Sequence, residues 1–401
     1  MRLLRDASPS AVLAGFVTVL VGFTSSAVVV LQAAGAVGAT PAQSASWMLA
    51  LGIGMGVTCI ALSLRYRIPV LTAWSTPGAA MLITSASGVS LAEATGAFVV
   101  SALLLMLTGF TGAFAWLMRR IPVAIASGML AGVLLRFGLE LFTGMRSQFA
   151  LVFAMFAVYL AARRFAPRYA VLAALVVGTA VAGARGLLSF ADVPWGLARP
   201  AWVTPHFTPA ALVGIAVPLF LVTTASQNAP GAAVVRGAGY ALPLSPVLGW
   251  TGVANVLLAP FGAFTLNLAA ITAAIASGRE AHEDPARRYV AAVAAGVMYL
   301  VVGLFGATVV ALFAAFPREL VLALAGLALL GPIGNGLAAA MAQEGDREPA
   351  LVTFLVAASG LTLLGVGAAF WALVAGTAAS AVLRRRAPPV AAEPPVARRS
   401  A

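Results

Sequence analysis

The chain has 401 residues, of which 62% are hydrophobic and 9% charged, whereas soluble domains run at about half apolar and about a quarter charged. Its net charge of +12 comes from 24 basic residues, all of them arginine, most of which stand in short breaks between apolar runs. That placement fits membrane topology and points away from a nucleic-acid-binding face. The single cysteine, Cys59, lies in an apolar run and gives no disulfide framework and no metal-ligand spacing.

A helix crossing hydrocarbon needs roughly 20 mostly apolar residues, because its backbone must be satisfied within the segment. The first such run is 10–31; Gly15–Val30 continues into further chain without a small-residue cleavage site and reads as a span, not a signal peptide. Spans follow at 44–64, 68–86, 93–117, 121–143, 148–162 and 169–187. The polar break 189–207, with Asp192, Pro194, Trp195, Trp202 and His206, connects them to a second series. That series runs 208–227, 241–258, 260–277, 288–314, 319–342, 350–360 and 362–383, the last two reading equally as one kinked span. Runs such as Val297–Ala315 have no polar face, which excludes a soluble helical repeat. The tail 384–401, with Pro388, Pro389, Pro394 and Pro395 among alanines and arginines, reads as disordered.

Arginine placement orients these spans. With both termini cytoplasmic, the inside loops hold Arg65, Arg67, Arg119, Arg120, Arg163, Arg164, Arg168, Arg236, Arg279, Arg287, Arg288 and Arg347. The tails add Arg2, Arg5, Arg384, Arg385, Arg386, Arg398 and Arg399, while Arg146, Arg185, Arg199 and Arg318 fall outside and Arg136 lies within a span.

The two series, 1–188 and 208–383, resemble each other in order. Ile68–Gly78 matches Ala259–Ala269, Ile121-Pro122 matches Phe316-Pro317, and Val21–Ser26 matches Val222–Gln227. Seven spans per half make the second half enter from the opposite side, an inverted repeat of the kind found in secondary transporters. The expected fold is therefore an all-α integral membrane protein of about 14 spans in two inverted seven-span repeats.

Such folds bind substrate where paired spans are interrupted near the midplane. Pro69 and Pro77 flank Leu71–Thr76 in the third span, and Pro260 and Gly262 precede Ala263–Asn267 in the tenth, so each reads as a short extended piece feeding a half-helix. Ser75 or Thr76 is placed to cap the first half-helix, with Pro77 in its first turn, and Asn267 the second. The two helix N-termini, converging, favour an anion. Gln227 and Asn228, beside Pro230-Gly231 in the eighth span, read as site lining or as polar contacts between helices. Trp74 and Phe264 stand at nearly matching places and offer faces to a flat ring, or plain packing. Thr24, Ser25 and Ser26 are weaker candidates, since hydroxyls bond back to their own helix. The candidate substrate-binding residues are thus Ser26, Trp74, Ser75, Thr76, Gly78, Gln227, Asn228, Phe264 and Asn267.

Arg136 and Glu140 form an i, i+4 ionic pair within a span and read as a structural lock or a proton or gating pair. The interrupted spans contain no Asp, Glu, Lys or His, which disfavours a cationic substrate. His206 and His282 fall in loops, where solvated or capping roles are expected, and Gly52, Gly54 and Gly56 permit close helix packing. No nucleophile–base pair, metal-ligand spacing or phosphate loop is present, so neither catalysis, cofactor nor metal is expected.

Four stretches resemble the bacterial benzoate transporter (BenE) family: Ala73-Trp74-Ser75-Thr76-Pro77-Gly78-Ala79-Ala80, Thr224-Ala225-Ser226-Gln227-Asn228-Ala229-Pro230-Gly231, Pro260–Ile275 and Gly278–Tyr289. The resemblance extends over the chain apart from the proline-rich tail. It implies proton-coupled uptake of benzoate across the inner membrane, on a fold similar to uracil permeases and sulfate transporters. That fold implies a core domain (spans 1–4 and 8–11), a gate domain (spans 5–7 and 12–14), and pairing of two copies through the gate. Where the uracil permease type has carboxylates in spans 8 and 10, this chain has Gln227, Asn228 and Asn267, which leaves the proton carrier unassigned. A permease for nucleobases or other neutral solutes, using the same amides, and a passive anion channel are the alternative readings.

Overall fold

Long apolar runs become long helices, and the polar or proline-containing breaks between them become caps. The computed structural model describes residues 5–86, 88–114, 116, 122–189, 195–279, 281–364 and 366–383. Arg2, Arg119, Arg120, Ile121, Asp192, Pro194, Glu280 and the tail 384–401 lie outside them. The first half comprises α1 (Pro9–Ala36), α2 (Pro41–Tyr66), β1 (Thr72–Trp74), α3 (Thr76–Ser85), α4 (Leu91–Phe110), α5 (Val123–Thr143), α6 (Phe149–Phe165) and α7 (Ala170–Ala184). The second comprises α8 (Pro209–Gly237), α9 (Leu244–Leu258), β2 (Leu266–Leu268), α10 (Ile271–Ser277) and α11 (Tyr289–Leu304). It continues through α12 (Gly306–Ala314), α13 (Arg318–Met341), α14 (Arg347–Ala358) and α15 (Ala368–Leu383).

Among the described residues seven helices are long and apolar enough to cross a membrane, or eight if the bent α1 is counted. Thr40 with Gln43 and Ser90 with Glu93 form capping boxes that start α2 and α4. The predicted run 288–314 divides into α11 and α12 at Phe305, and Gly306 just after it comes so close to α2 that a Cβ there would lie 2.8 Å from the Met48 Cβ. The stretch 350–383 holds two helices, separated by a turn in which Gly360 adopts φ +68°. Pro230 does not end the eighth span: α8 runs on to Gly237. Each of its two interior prolines, Pro218 and Pro230, instead follows a π-turn, at Leu212–Ala216 and Thr224–Asn228. A proline withholds one N–H and crowds the preceding turn, and a widened turn accommodates both effects without breaking the helix.

The helices pack in two sets. α2 and α1 lie against α11, α4 against α9, and α3 and α10 against α1; elsewhere α5 lies against α13 and α14, α14 against α15, and α6 against α7. Outside the bundle, Val57, Leu64, Trp250, Leu257, Val297 and Val301 are exposed, an apolar surface of the kind that faces lipid. At one end, the connection after residue 195 is stitched across the bundle in extended form. Its backbone N–H groups donate from Ala198 to the Leu304 carbonyl (2.8 Å), from Val203 to Pro260 (2.8 Å) and from His206 to Ala92 (2.9 Å). At the opposite end, the Asp6 carboxylate accepts from the Tyr289 hydroxyl (2.7 Å) and from Arg67 (3.1 Å), tying the chain before α1 to α2 and α11. The Tyr289 bond, with the nearby arginines, holds the Asp6 carboxyl below its ordinary pKa.

Small residues bring α2 and α11 into backbone contact. A Cβ at Gly52 would lie 2.8 Å from the Tyr299 carbonyl oxygen, and one at Gly56 would lie 2.8 Å from that of Gly296; Gly54 instead faces Leu266 and Leu258. Gly52→Val is therefore expected to destabilise the protein by about 1–3 kcal/mol through overpacking. Gly35→Ala, with nothing within 4 Å of its added Cβ, should leave stability nearly unchanged. Thermal unfolding of the two purified variants in detergent compares them directly.

Candidate functional site

The two interrupted segments meet at the centre of the bundle. β1 and β2 pair antiparallel, Thr72 with Leu268, Ala73 with Asn267 and Trp74 with Leu266. The ladder is centred on Ala73 and Asn267, three residues out of register with the match read from Pro69 and Pro260. Two strands in an apolar interior leave one unpaired edge each, and every group on those edges needs a partner. On the β2 side, Asn255 of α9 closes a two-bond ring with Leu266, accepting from its N–H (2.6 Å) and donating to its carbonyl (2.9 Å). Asn228 of α8 accepts from the N–H of Leu268 at 2.8 Å. On the β1 side, α2 supplies the partners: the Thr72 N–H donates to the Cys59 sulfur (3.2 Å), and Ser63 exchanges bonds with both the N–H and the carbonyl of Val70 (3.1 Å each).

Ser75 starts α3. Its Oγ accepts from the Gly78 N–H at 3.0 Å, its carbonyl accepts from the Ala79 N–H at 2.8 Å, and Pro77 has no N–H to offer. Most of the first-turn donors are thereby used internally, which leaves Thr76 as the remaining one. The Thr223 hydroxyl donates to Ser75 Oγ at 3.3 Å, and Gly78 lies against Leu219, so α3 begins directly on α8. α10 is preceded by Ala270 without a side-chain cap, so Asn267 does not take the capping position expected for it. Instead it lies within β2, where the ladder fixes its backbone. At the far end of α10, buried Arg288 donates to the carbonyls of Ser277 (2.9 Å), His282 (2.7 Å) and Glu283 (3.2 Å) and holds the following loop closed. In that loop His282 accepts from the Asp284 N–H at 2.9 Å, a capping role, while His206 is exposed.

Several candidate residues converge here. The Trp74 indole N–H donates to Ser26 Oγ at 2.8 Å, and that hydroxyl donates to the Gly22 carbonyl at 2.8 Å, joining α1 to β1. Phe23 packs on Trp74 with ring centroids 5.4 Å apart. Phe264 belongs to a different aromatic group: its ring stacks on Trp47 at 5.7 Å and meets Phe98 edge-on at 6.3 Å. Trp47 occupies the space beside Gly262, whose φ of +103° and missing Cβ both require glycine. Gln227 is half-buried on α8. Arg136 and Glu140 are joined at 2.8 Å, but the Arg136 side chain is 66% exposed, on the flank of α5 that also exposes Leu139 and Phe142.

The most telling residues are those left without partners. Asn267 is 0% exposed, and neither its Oδ1 nor its Nδ2 meets a hydrogen-bond partner. Asn228 is equally buried with Nδ2 unpartnered, and Thr224, one turn earlier on α8, has an unpartnered hydroxyl. Because Asn228 bonds the peptide that follows Asn267, the two amides stand at neighbouring positions of β2. Buried polar groups are mostly satisfied in folded proteins, so these orphans on β2 and α8 are the candidates for contact with a polar ligand; the hydroxyls of Thr18, Ser85 and Ser277 are unpartnered as well. Asn255 went unnoticed in the sequence, although an amide inside an apolar span is itself a signal. Among the described residues no group of His, Cys, Asp or Glu could hold a metal ion.

The fold as a whole is similar to those of solved transporters. The structure covers 92% of this chain and 97% of the transmembrane domain of a cyanobacterial bicarbonate transporter, BicA, with TM-score 0.56 and 15% identity. It also covers 65% of SLC26A9 (TM-score 0.57, 13% identity) and 68% of murine Slc26a9, an anion transporter in the inward-facing state (TM-score 0.52, 14% identity), in each case over 92% of this chain. At those identities the likeness establishes the fold alone. The family is fixed by closer relatives. Residues 5–382 match the family of benzoate membrane transport proteins, BenE, and the chain belongs to it. It is 50% identical over 375 residues to the inner membrane protein YdcO of Escherichia coli K12, covering 94% of this chain and 96% of the relative. It is 40% identical over 379 residues to the benzoate membrane transport protein of Acinetobacter baylyi, with the same two coverages. The chain is a membrane transporter, not an enzyme.

The amides at the crossing divide into structural and unsatisfied ones, and stability should separate them. Asn255→Leu would strand the N–H and carbonyl of Leu266, costing about 1–3 kcal/mol for each. Asn267→Leu removes atoms that bond nothing and should leave stability unchanged or raised. Thermal unfolding of both variants decides whether Asn267 is part of the scaffold.

Proposed function

We propose that the protein is a secondary active transporter that carries benzoate or a similar aromatic carboxylate together with protons across a bacterial inner membrane. The observation carrying this reading is the buried, unpartnered amide of Asn267 at the β1–β2 crossing, in a chain of the benzoate transport family. Asn267, Asn228 and Gln227 orient the carboxyl group, with Thr76 at the start of α3 offering its free N–H. Trp74, held by Ser26, lies along the ring. Ser75 and Gly78 place α3 against α8, and Phe264 backs the crossing from its cluster with Trp47 and Phe98. The Arg136–Glu140 pair, on an exposed flank, serves as a structural or gating contact in this reading.

The two packing sets support a core of α1–α4 and α8–α11, carrying the site, and a gate of α5–α7 and α13–α15, each half supplying one inverted repeat. Alternating access moves the core against the gate, and two copies pair through the gate. In this reading both termini face the cytoplasm, which the arginine placement supports.

Radiolabelled benzoate uptake into proteoliposomes tests the reading, run well above the pKa of benzoic acid with protein-free vesicles subtracted. Accumulation is expected only with an inward proton gradient, which also separates a symporter from a passive anion channel. Asn267→Leu should lower uptake by at least about tenfold, the equivalent of losing one hydrogen bond of about 1.5 kcal/mol, without loss of folded protein. Absence of protein-dependent uptake in a folded preparation would remove benzoate as the substrate.

A further inference from the structure

The unpartnered atoms at the crossing form a pattern that an anion does not match. Asn267 presents both an N–H donor group and a carbonyl acceptor, Asn228 a donor group, and Thr224 a hydroxyl that can do either. A carboxylate only accepts, so beside Asn267 it would satisfy Nδ2 and leave Oδ1 facing another oxygen lone pair. A protonated carboxyl group carries one donor and one acceptor side by side. Against a primary amide it closes a two-bond ring, with its O–H donating to the amide oxygen and the amide N–H donating to its carbonyl. Asn255 already makes the same kind of ring with the Leu266 peptide one residue away.

The electrostatics favour the same form. α1, β1, α3, β2 and α10 contain no Asp, Glu, Lys, Arg or His, and the only such residue on α8 is Arg236, exposed in its last turn. On the elements packed around the crossing, the remaining charged and titratable side chains are engaged or stand at helix ends. Arg136 and Glu140 of α5, which packs against α3 and the π-turn of α8, bond each other at 2.8 Å with Arg136 66% exposed. Glu93 of α4 is held in its capping box with Ser90, and Arg318 and Glu319 stand at the start of α13. Cys59 is bonded to Thr72, and Tyr299 of α11 is buried with its hydroxyl toward Gly22. Arg65 and Tyr66 stand at the end of α2, and Tyr289 at the start of α11. None places a cation at the crossing. The start of α3, expected to attract negative charge, has most of its N–H groups used by Ser75 or missing at Pro77. α10, only 7 residues long, adds no developed dipole. A carboxyl buried without a cation has its pKa raised by up to about 3–5, from about 4 into the neutral range.

Resting on the aromatic-carboxylate reading above, we propose that the transporter binds its substrate as the neutral acid, so that the coupled proton travels on the substrate's own carboxyl and is shared with the Asn267 amide oxygen. The bookkeeping of the cycle is simple. On the side of entry a proton from water forms the O–H bond of the carboxyl group; the neutral acid crosses; on the far side that bond dissociates and returns carboxylate and proton. No side chain changes protonation state, no net charge moves, and a proton-carrying carboxylate on the protein is not required.

Inhibition of benzoate uptake in wild-type proteoliposomes distinguishes the bound form without a variant that might misfold. Benzamide is a neutral isostere with the same donor–acceptor pair, whereas benzenesulfonate remains an anion at all working pH values. Benzamide should inhibit with a constant that does not vary between about pH 6 and about pH 8, while the apparent KM for total benzoate rises about tenfold per pH unit as the acid form becomes scarce. Benzenesulfonate should not inhibit. Inhibition by benzenesulfonate, with or without benzamide, would overturn the proposal and leave benzoate transport standing, and so would failure of benzamide to inhibit. Absence of benzoate uptake would remove the aromatic-carboxylate reading and this proposal with it.

Discussion

Everything at the centre of this protein depends on satisfying two short strands in an apolar interior. β1 and β2 use each other for one edge, and the outer edges would be untenable in a bilayer without partners. Those partners are side chains on the neighbouring helices: Cys59 and Ser63 on α2 for β1, Asn255 on α9 and Asn228 on α8 for β2. Because each is a single side chain held at one depth of a packed helix, the strands fix the relative heights of α2, α8 and α9. The crossing therefore needs the helices around it to approach closely. The glycines along α2 serve this end, Gly52 and Gly56 against α11 and Gly54 against Leu266 of β2 itself.

The same constraint explains the shape of α8. A straight helix with Pro218 and Pro230 in it would kink or lose register with β2. The π-turn at Thr224–Asn228 absorbs Pro230 and also rotates the residues within it, so that Asn228 meets the strand while Thr223 meets Ser75. One irregular turn thus couples the start of α3 to the edge of β2. Gly231 completes the fit, since a Cβ there would lie 2.8 Å from that of Leu268.

Hydropathy alone made the helices legible, because burial in lipid demands uninterrupted apolar runs. The crossing was legible too: Pro69, Pro77, Pro260 and Gly262 announce interruptions, and Ser75 before Pro77 announces a cap, all consequences of local backbone chemistry. What could not be read was anything set by partners distant in sequence. Asn267 resembles a cap because asparagine usually is one, yet the ladder holds it in the strand, three residues before the capping position at Ala270. Pro230-Gly231 looks like a helix end, since a π-turn leaves no compositional mark. Trp74 and Phe264 seem equivalent in sequence, but Trp47 beside Gly262 draws Phe264 into a separate cluster.

The connection between the halves adds a mechanical consequence. Residues 195–208 bond to the end of α11, to α2 through Ser46, to the turn before β2 and to the start of α4. Three helices and the turn leading into the crossing are thereby laced together at one end, while Asp6, Arg67 and Tyr289 tie α1, α2 and α11 at the other. The turn that leads into β2, and so into the strand holding the orphan amide of Asn267, belongs to this laced set. A neutral cargo suits that design, since a buried site without charge can change its surroundings without the desolvation of an ion opposing each step.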